Sequence, residues 1–139
     1  MASILKVDEL QGITAAGDIT VTSEGGAATQ SLQQGLAKFW CLLDGTGTIG
    51  ILDSLNAASA TDNGTGDYTI TATNAMANTN FVCCATSGQN SGDQISANNN
   101  TGTGLDRTTT TVRTQCQRST SDNALDCNVV DTIRMGDLA

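Results

Sequence analysis

Five cysteines and no histidine limit the chemistry this 139-residue chain can assemble. The thiols are Cys41, Cys83, Cys84, Cys116 and Cys127. Their number is odd, so at least one has no partner within the chain. None forms a C-x-x-C pair, which with the missing His removes the Cys/His zinc patterns and leaves no spacing suited to a four-thiolate site. Neither a Ser-His-Asp nor a Cys-His mechanism can be built from one chain. Acid–base work would fall to carboxylates alone. Cys83 and Cys84 are neighbours, so strand alternation sends them to opposite faces. The plain reading of the thiols is small buried hydrophobes, kept reduced in a cytoplasm. The other is disulfide locking, within or between subunits, after release into an oxidising medium.

The remaining polar residues offer weaker patterns. Asp62 and Asp67 bracket a Gly/Asn loop, and oxygen ligands suit calcium, but the spaced acids and terminal Glu of an EF-hand are missing. A solvated turn is the simpler reading. The pairs Asp8/Glu9 and Asp122/Asp126 read as surface charge. Gly45-Thr46-Gly47 is too short for a phosphate loop, and no Lys follows it. Trp40 has the shape to stack on a sugar or base, but in so aromatic-poor a chain it reads as a core anchor with Phe39, Tyr68 and Phe81. Asn98, Asn99 and Asn100 could contact a glycan through amide hydrogen bonds; the plainer view is a polar loop tip. No catalytic, cofactor or metal residue is expected, and the chain reads as no enzyme.

The elements that must carry these residues are strands. Thr, Ala, Gly, Asn and Ser dominate. Thr favours pleated strands, and Gly and Asn tolerate the backbone of tight turns. Pro is absent, so turns rely on Gly, Asn and Asp. Aromatics are only 3% of the residues, so a core of small side chains buries little apolar area per residue. Chains with thin cores often complete them between subunits. The net charge of −8 leaves no basic patch, so nucleic-acid binding is not expected. No segment approaches the ~20 apolar residues that span a bilayer. The start, Met1-Ala2-Ser3-Ile4-Leu5-Lys6, lacks the form of a secretory signal, so synthesis and folding are expected in a cytoplasm.

Along the chain, residues 1–30 form an attachment or oligomerisation arm. It has a short strand at Ile4–Leu10, a second at Gly17–Thr22, and a flexible break at Ser23–Ala28. Residues 31–139 form the main module. Leu32, Leu36, Phe39, Trp40 and Leu43 fit helical spacing, while Phe39, Cys41 and Leu43 fit one strand face. A short helical turn near residues 30–36 followed by a strand from about Ala37 reconciles them. Asp44-Gly45 signals a hairpin, with Ile49, Ile51 and Leu52 on the returning strand. A turn at Asp62–Asp67 leads into a strand at Tyr68–Thr73. Phe81–Ala85 is an apolar run suited to burial on both faces. Residues 86–106 read as one long polar loop. Thr108–Gln117 is a strand with Val112, Thr114 and Cys116 on one face, and a last strand runs from about Leu125 to Met135. Short strands at such intervals predict an all-β protein: an antiparallel β-sandwich-like module with a short N-terminal arm.

Particular stretches also resemble a known family. Leu32-Gln33-Gln34-Gly35-Leu36-Ala37-Lys38-Phe39-Trp40 looks like a segment of small structural proteins of marine tailed bacteriophages. It is followed by Asp53-Ser54-Leu55-Asn56, Gly66-Asp67-Tyr68-Thr69 and Asn74-Ala75-Met76-Ala77-Asn78-Thr79-Asn80-Phe81, an order similar to that of tail-fibre modules. Ile4-Leu5-Lys6-Val7-Asp8 with Gly12-Ile13-Thr14-Ala15-Ala16-Gly17 is similar to their opening. The likeness covers about residues 3–81 and Gly136-Asp137. It departs at Val129–Met135, and residues 86–127 carry no likeness. The resemblance implies a virion component with a β-sandwich-like module, usually a homotrimer, and no catalytic residues. A tail-fibre-type protein is then expected, docking to other virion proteins, with a host-surface glycan or protein as a further partner. The alternative is a capsid decoration (cement) or head-fibre protein that stabilises the shell.

Overall fold

A computed structural model describes residues 4–15, 19–88, 95–98, 107–121 and 123–139. The chain divides into two compact units, Met1–Leu36 and Ala37–Ala139.

In the first unit, β1 (Thr20–Thr22) and β2 (Thr29–Ser31) pair antiparallel, Val21 opposite Gln30. Ser23–Ala28, expected as a flexible break, is instead a hydrogen-bonded turn: the Ser23 amide donates to the Ala28 carbonyl at 2.8 Å. One four-residue helix follows, α1 (Leu32–Gly35), where the sequence placed it. Ser31 caps it, its hydroxyl accepting from the Gln34 amide. The strand expected at Ile4–Leu10 does not form. No other strand of the described chain pairs with it, and a lone strand leaves its backbone groups unpaired. Its side chains stand in solvent: Ile4 is 78% exposed and Leu5 77%.

The second unit is an antiparallel sandwich of two four-stranded sheets. The first has the order β4 (Gly50–Leu55), β3 (Phe39–Asp44), β10 (Val129–Met135), β7 (Val82–Gly88). The second runs β5 (Ala57–Gly64), β6 (Asp67–Ala72), β9 (Thr111–Arg118), β8 (Ile95–Asn98). Alternation turns Phe39, Cys41 and Leu43 of β3, Tyr68, Ile70 and Ala72 of β6, and Cys116 of β9 into one core between the sheets, joined by Cys127 and Val130. Met76, Phe81 and Val112 form a second cluster.

Two corners explain why particular residues stand where they do. Asn56 sits between β4 and β5 with φ of +65°, a left-handed conformation that Asn tolerates. Its amide nitrogen donates to the carbonyls of Lys38 (3.2 Å) and Asn74 (3.1 Å), and its side-chain oxygen accepts from the Asn74 amide at 2.7 Å. It thereby ties the crossing between the sheets to the segment after β6. At the β5–β6 turn, Gly66 (φ +65°) leaves no room for a side chain: a Cβ would lie 2.6 Å from the Cys116 carbonyl oxygen and 2.7 Å from the Leu125 backbone. The next two residues lock the same corner. Asp67 takes a two-pronged ion pair from Arg113, with Nε donating at 2.8 Å. Tyr68 is fully buried and donates its hydroxyl to Asp126 at 3.0 Å.

Three expectations are corrected. Phe81–Ala85 is not buried on both faces: β7 is covered on one side, and Val82 stays 62% exposed. The stretch 86–106 is not one loop, since β7 runs on to Gly88 and β8 lies within it, pairing with β9. The last strand starts at Val129; Leu125 instead donates its amide to the Cys116 carbonyl beside β9.

Candidate functional site

Register builds the outer face of the first sheet. In an antiparallel ladder, directly opposed residues point to the same side. Trp40 lies opposite Leu55 on one flank and Ile133 on the other, and Ile133 lies opposite Cys84. Leu55, Trp40, Ile133 and Cys84 therefore form a row across all four strands. Leu55 is 46% exposed and Ile133 39%. Beside it runs the row Asp53, Leu42, Asp131, Thr86, the two acids flanking Leu42. Met135 and Val82 pair on the same face.

β10 is the reason this face is apolar, because it sits inside out. Its polar residues Thr132 and Arg134 point into the sandwich with Val130, and Ile133 and Met135 point away. Trp40, read from the sequence as a core anchor, is half-buried on this outer face because β3 turns Phe39 and Cys41 inward. The other expected anchors, Phe39, Tyr68 and Phe81, are buried.

A depression of about 330 Å³ opens on the face, lined by Trp40, Leu42, Cys84, Thr86, Asp131 and Ile133. The Thr86 hydroxyl donates to the Asp131 carboxylate at 3.2 Å. Such a surface can bury apolar area, stack an aromatic ring and meet one cation at its acidic row.

Inside the sandwich the chemistry is that of packing. Burial pushes the Cys41 thiol up to about 11 and the Cys116 thiol up to about 12. Burial also raises Cys83 to about 11, although Arg134 and Arg107 pull it the other way. Cys127 is raised by burial too. The nucleophile is the thiolate, so these groups are held unreactive. Cys83 faces inward and Cys84 outward, as alternation requires. Arg107 donates to the Phe81 carbonyl at 2.9 Å, with its guanidinium 5.5 Å from the Phe81 ring.

The other sequence candidates are dispersed. Asp62, placed by the sequence reading in a turn, lies in β5 opposite Tyr68 and accepts from the Gly64 amide at the irregularity that ends the strand, and Asp67 is held by Arg113, so the two carboxylates do not converge. Asp8 and Glu9 are exposed. Asp126, read as surface charge, holds Tyr68 and the Gly66 amide (2.7 Å); Asp122 lies outside the described residues. Asn98 ends β8 opposite Gln115, while Asn99 and Asn100 lie outside the described residues. Sequence reasoning missed the row Leu55–Trp40–Ile133–Cys84, whose members are far apart in the chain and meet only through register.

No family model matches the chain, and neither the curated proteins nor the solved structures give a match.

Proposed function

We propose that this chain is a non-catalytic structural protein of a tailed-bacteriophage particle, of tail-fibre type, that assembles as a homotrimer. The observation that carries this is the inverted strand β10 and the face it makes. Ile133 and Met135 stand outward beside Trp40, Leu55 and Val82, while an arginine is buried in their place. Contiguous apolar area rimmed by acids is the mark of a surface meant to be covered. Self-association supplies the burial that a core of small side chains lacks.

The resemblance to phage modules supports the setting. The stretches that carry it have architectural work here: Asn56 at the corner, Gly66-Asp67-Tyr68 at the latch, Met76 and Phe81 in the second cluster. None needs a substrate to account for it. The protein is made in the host cytoplasm and ends in the virion.

Quantitative mass spectrometry of purified particles, referenced to the major capsid protein, tests this. A dozen or two copies, about the number a fibre of trimers requires, support the tail-fibre reading. Hundreds of copies would make it a capsid decoration protein instead, and absence from particles would overturn the virion reading.

A further inference from the structure

The chain leaves two apolar surfaces in solvent, and their charges are complementary. One is the outer face of the first sheet, with Asp53 and Asp131 flanking Leu42. Among the described residues neither acid is in an ion pair. The other is the stretch Ile4-Leu5-Lys6-Val7, where Ile4, Leu5 and Val7 are 78%, 77% and 55% exposed. Lys6 is the one basic residue among residues 1–36 and is likewise in no ion pair among the described residues.

We propose that Ile4–Val7 of a second copy docks on this face, with Lys6 over the Asp53–Leu42–Asp131 row and Ile4, two residues before it and on the same side of an extended segment, on the Leu55–Trp40–Ile133–Cys84 row. It rests on the self-associating reading above and names the site that performs it.

Charge decides the occupant. Two such faces pressed together would bring four carboxylates, two from each copy, to one interface, which disfavours face-to-face pairing. An apolar segment carrying a single Lys suits both rows. The reach is sufficient. Neighbouring strands are about 4.8 Å apart, so Asp53 and Asp131, one strand to either side of Leu42, stand about 10 Å apart and one ammonium between them meets both. Four extended residues span about 13 Å, enough to cross from one row to the next, about 7 Å along the strands. Asp8 and Glu9 fall outside the docked stretch.

An arm of one copy on the face of the next is a heterologous contact, which closes into a ring when the rotation allows. The homotrimer is such a ring.

Cys84 reports on the site because its thiol is exposed on the row while Cys41, Cys116 and Cys127 are buried. The test uses the intact chain, Lys6→Glu, Asp131→Lys and the double variant. Each is measured by sedimentation for self-association and by the rate of Cys84 alkylation with a maleimide. The proposal expects the intact chain to associate and to react slowly at Cys84. Each single charge reversal weakens association about tenfold or more, equivalent to about 1.4 kcal/mol, and speeds alkylation. The double variant recovers both.

A monomeric intact chain, covered at Cys84 or not, overturns the proposal. So does association that ignores Lys6→Glu, or a double variant no better than the singles. Because both substitutions lie at exposed positions, circular dichroism at equal concentration separates lost docking from lost fold. Copy number in particles is independent of all these outcomes, so the docking site can fail while the virion reading stands.

Discussion

Arg134 is the largest fully buried side chain of the described residues, and it is buried without a carboxylate. Its guanidinium lies 3.9 Å from the Phe39 ring centre and 5.8 Å from that of Phe81. One terminal nitrogen donates to the Ile70 carbonyl at 2.9 Å, the other to Thr110 at 3.2 Å, and Nε has no partner. Burial accordingly lowers its pKa. Taking a cation out of water costs several kcal/mol even after relaxation. Two charged hydrogen bonds return about 1.5–3 kcal/mol each and a desolvated ring contact about 2. The two sides nearly cancel, so the charge itself contributes little net stability and the volume contributes most. Arg134→Met keeps the volume, frees the orphaned Nε, and leaves the Thr110 carbonyl still accepting from the Ala72 amide at 2.8 Å. It should shift stability by less than about 1.5 kcal/mol in either direction. Arg134→Ala opens a cavity and should cost about 4 kcal/mol. Denaturant unfolding followed by the single tryptophan, Trp40 on the neighbouring strand, reads both, at one protein concentration so that association does not intrude. A Met variant that loses as much as the Ala variant would refute the reasoning and show that the guanidinium's polar contacts hold the sandwich.

Gly66→Ala should prevent folding or cost more than about 3 kcal/mol, because the new methyl meets fixed backbone at 2.6–2.7 Å; thermal unfolding by circular dichroism checks it. Asn56→Ala should cost about 3 kcal/mol for three lost hydrogen bonds and a left-handed alanine, and Asn56→Gly should recover about 1 of that by relieving the backbone. Stability should fall at alkaline pH in reducing buffer. The Cys41 and Cys116 thiols, pushed up to about 11 and about 12, stay protonated in the folded chain after unfolded thiols ionise near 8.5. The unfolded state then binds fewer protons, so this stability is complete below about pH 8.5 and drains at about 1.4 kcal/mol per pH unit per thiol up to pH 11. Cys41→Ala with Cys116→Ala should remove those two thiols' share of that slope, leaving what the raised Cys83 and Cys127 contribute, and an unchanged slope would deny the burial of the two thiols.

The elements legible in the sequence are those whose local signals agree with their surroundings. Ser31 at a helix start, Asp44-Gly45 at a hairpin, and the alternation of Val112, Thr114 and Cys116 all point the same way as the packing. β5 and β8 were illegible because Ala57-Ala58-Ser59-Ala60-Thr61 and Ile95-Ser96-Ala97-Asn98 each hold one β-branched residue among small and polar ones; each is an edge recruited by pairing with β6 or β9. In β10, alternation fixes that Ile133 and Met135 oppose Thr132 and Arg134, but not which set faces inward. Arg134 faces inward against hydrophobicity, its guanidinium over the Phe39 ring and bonded to the Ile70 and Thr110 carbonyls, partners that lie far off in the chain. In β7 the run Val82-Cys83-Cys84-Ala85 was apolar on both sides, and the single chain covers only one of them. The candidate face was hidden for the same reason, since Leu55, Trp40, Ile133 and Cys84 become neighbours only once the strand order is known.

Sedimentation equilibrium of the intact wild-type chain at micromolar concentration tests most directly whether the inside-out sheet face exists to be covered by another copy. The expected result is a trimer that dissociates when Ile133 and Met135 are both replaced by Ser. A well-folded monomer throughout the concentration range would contradict it.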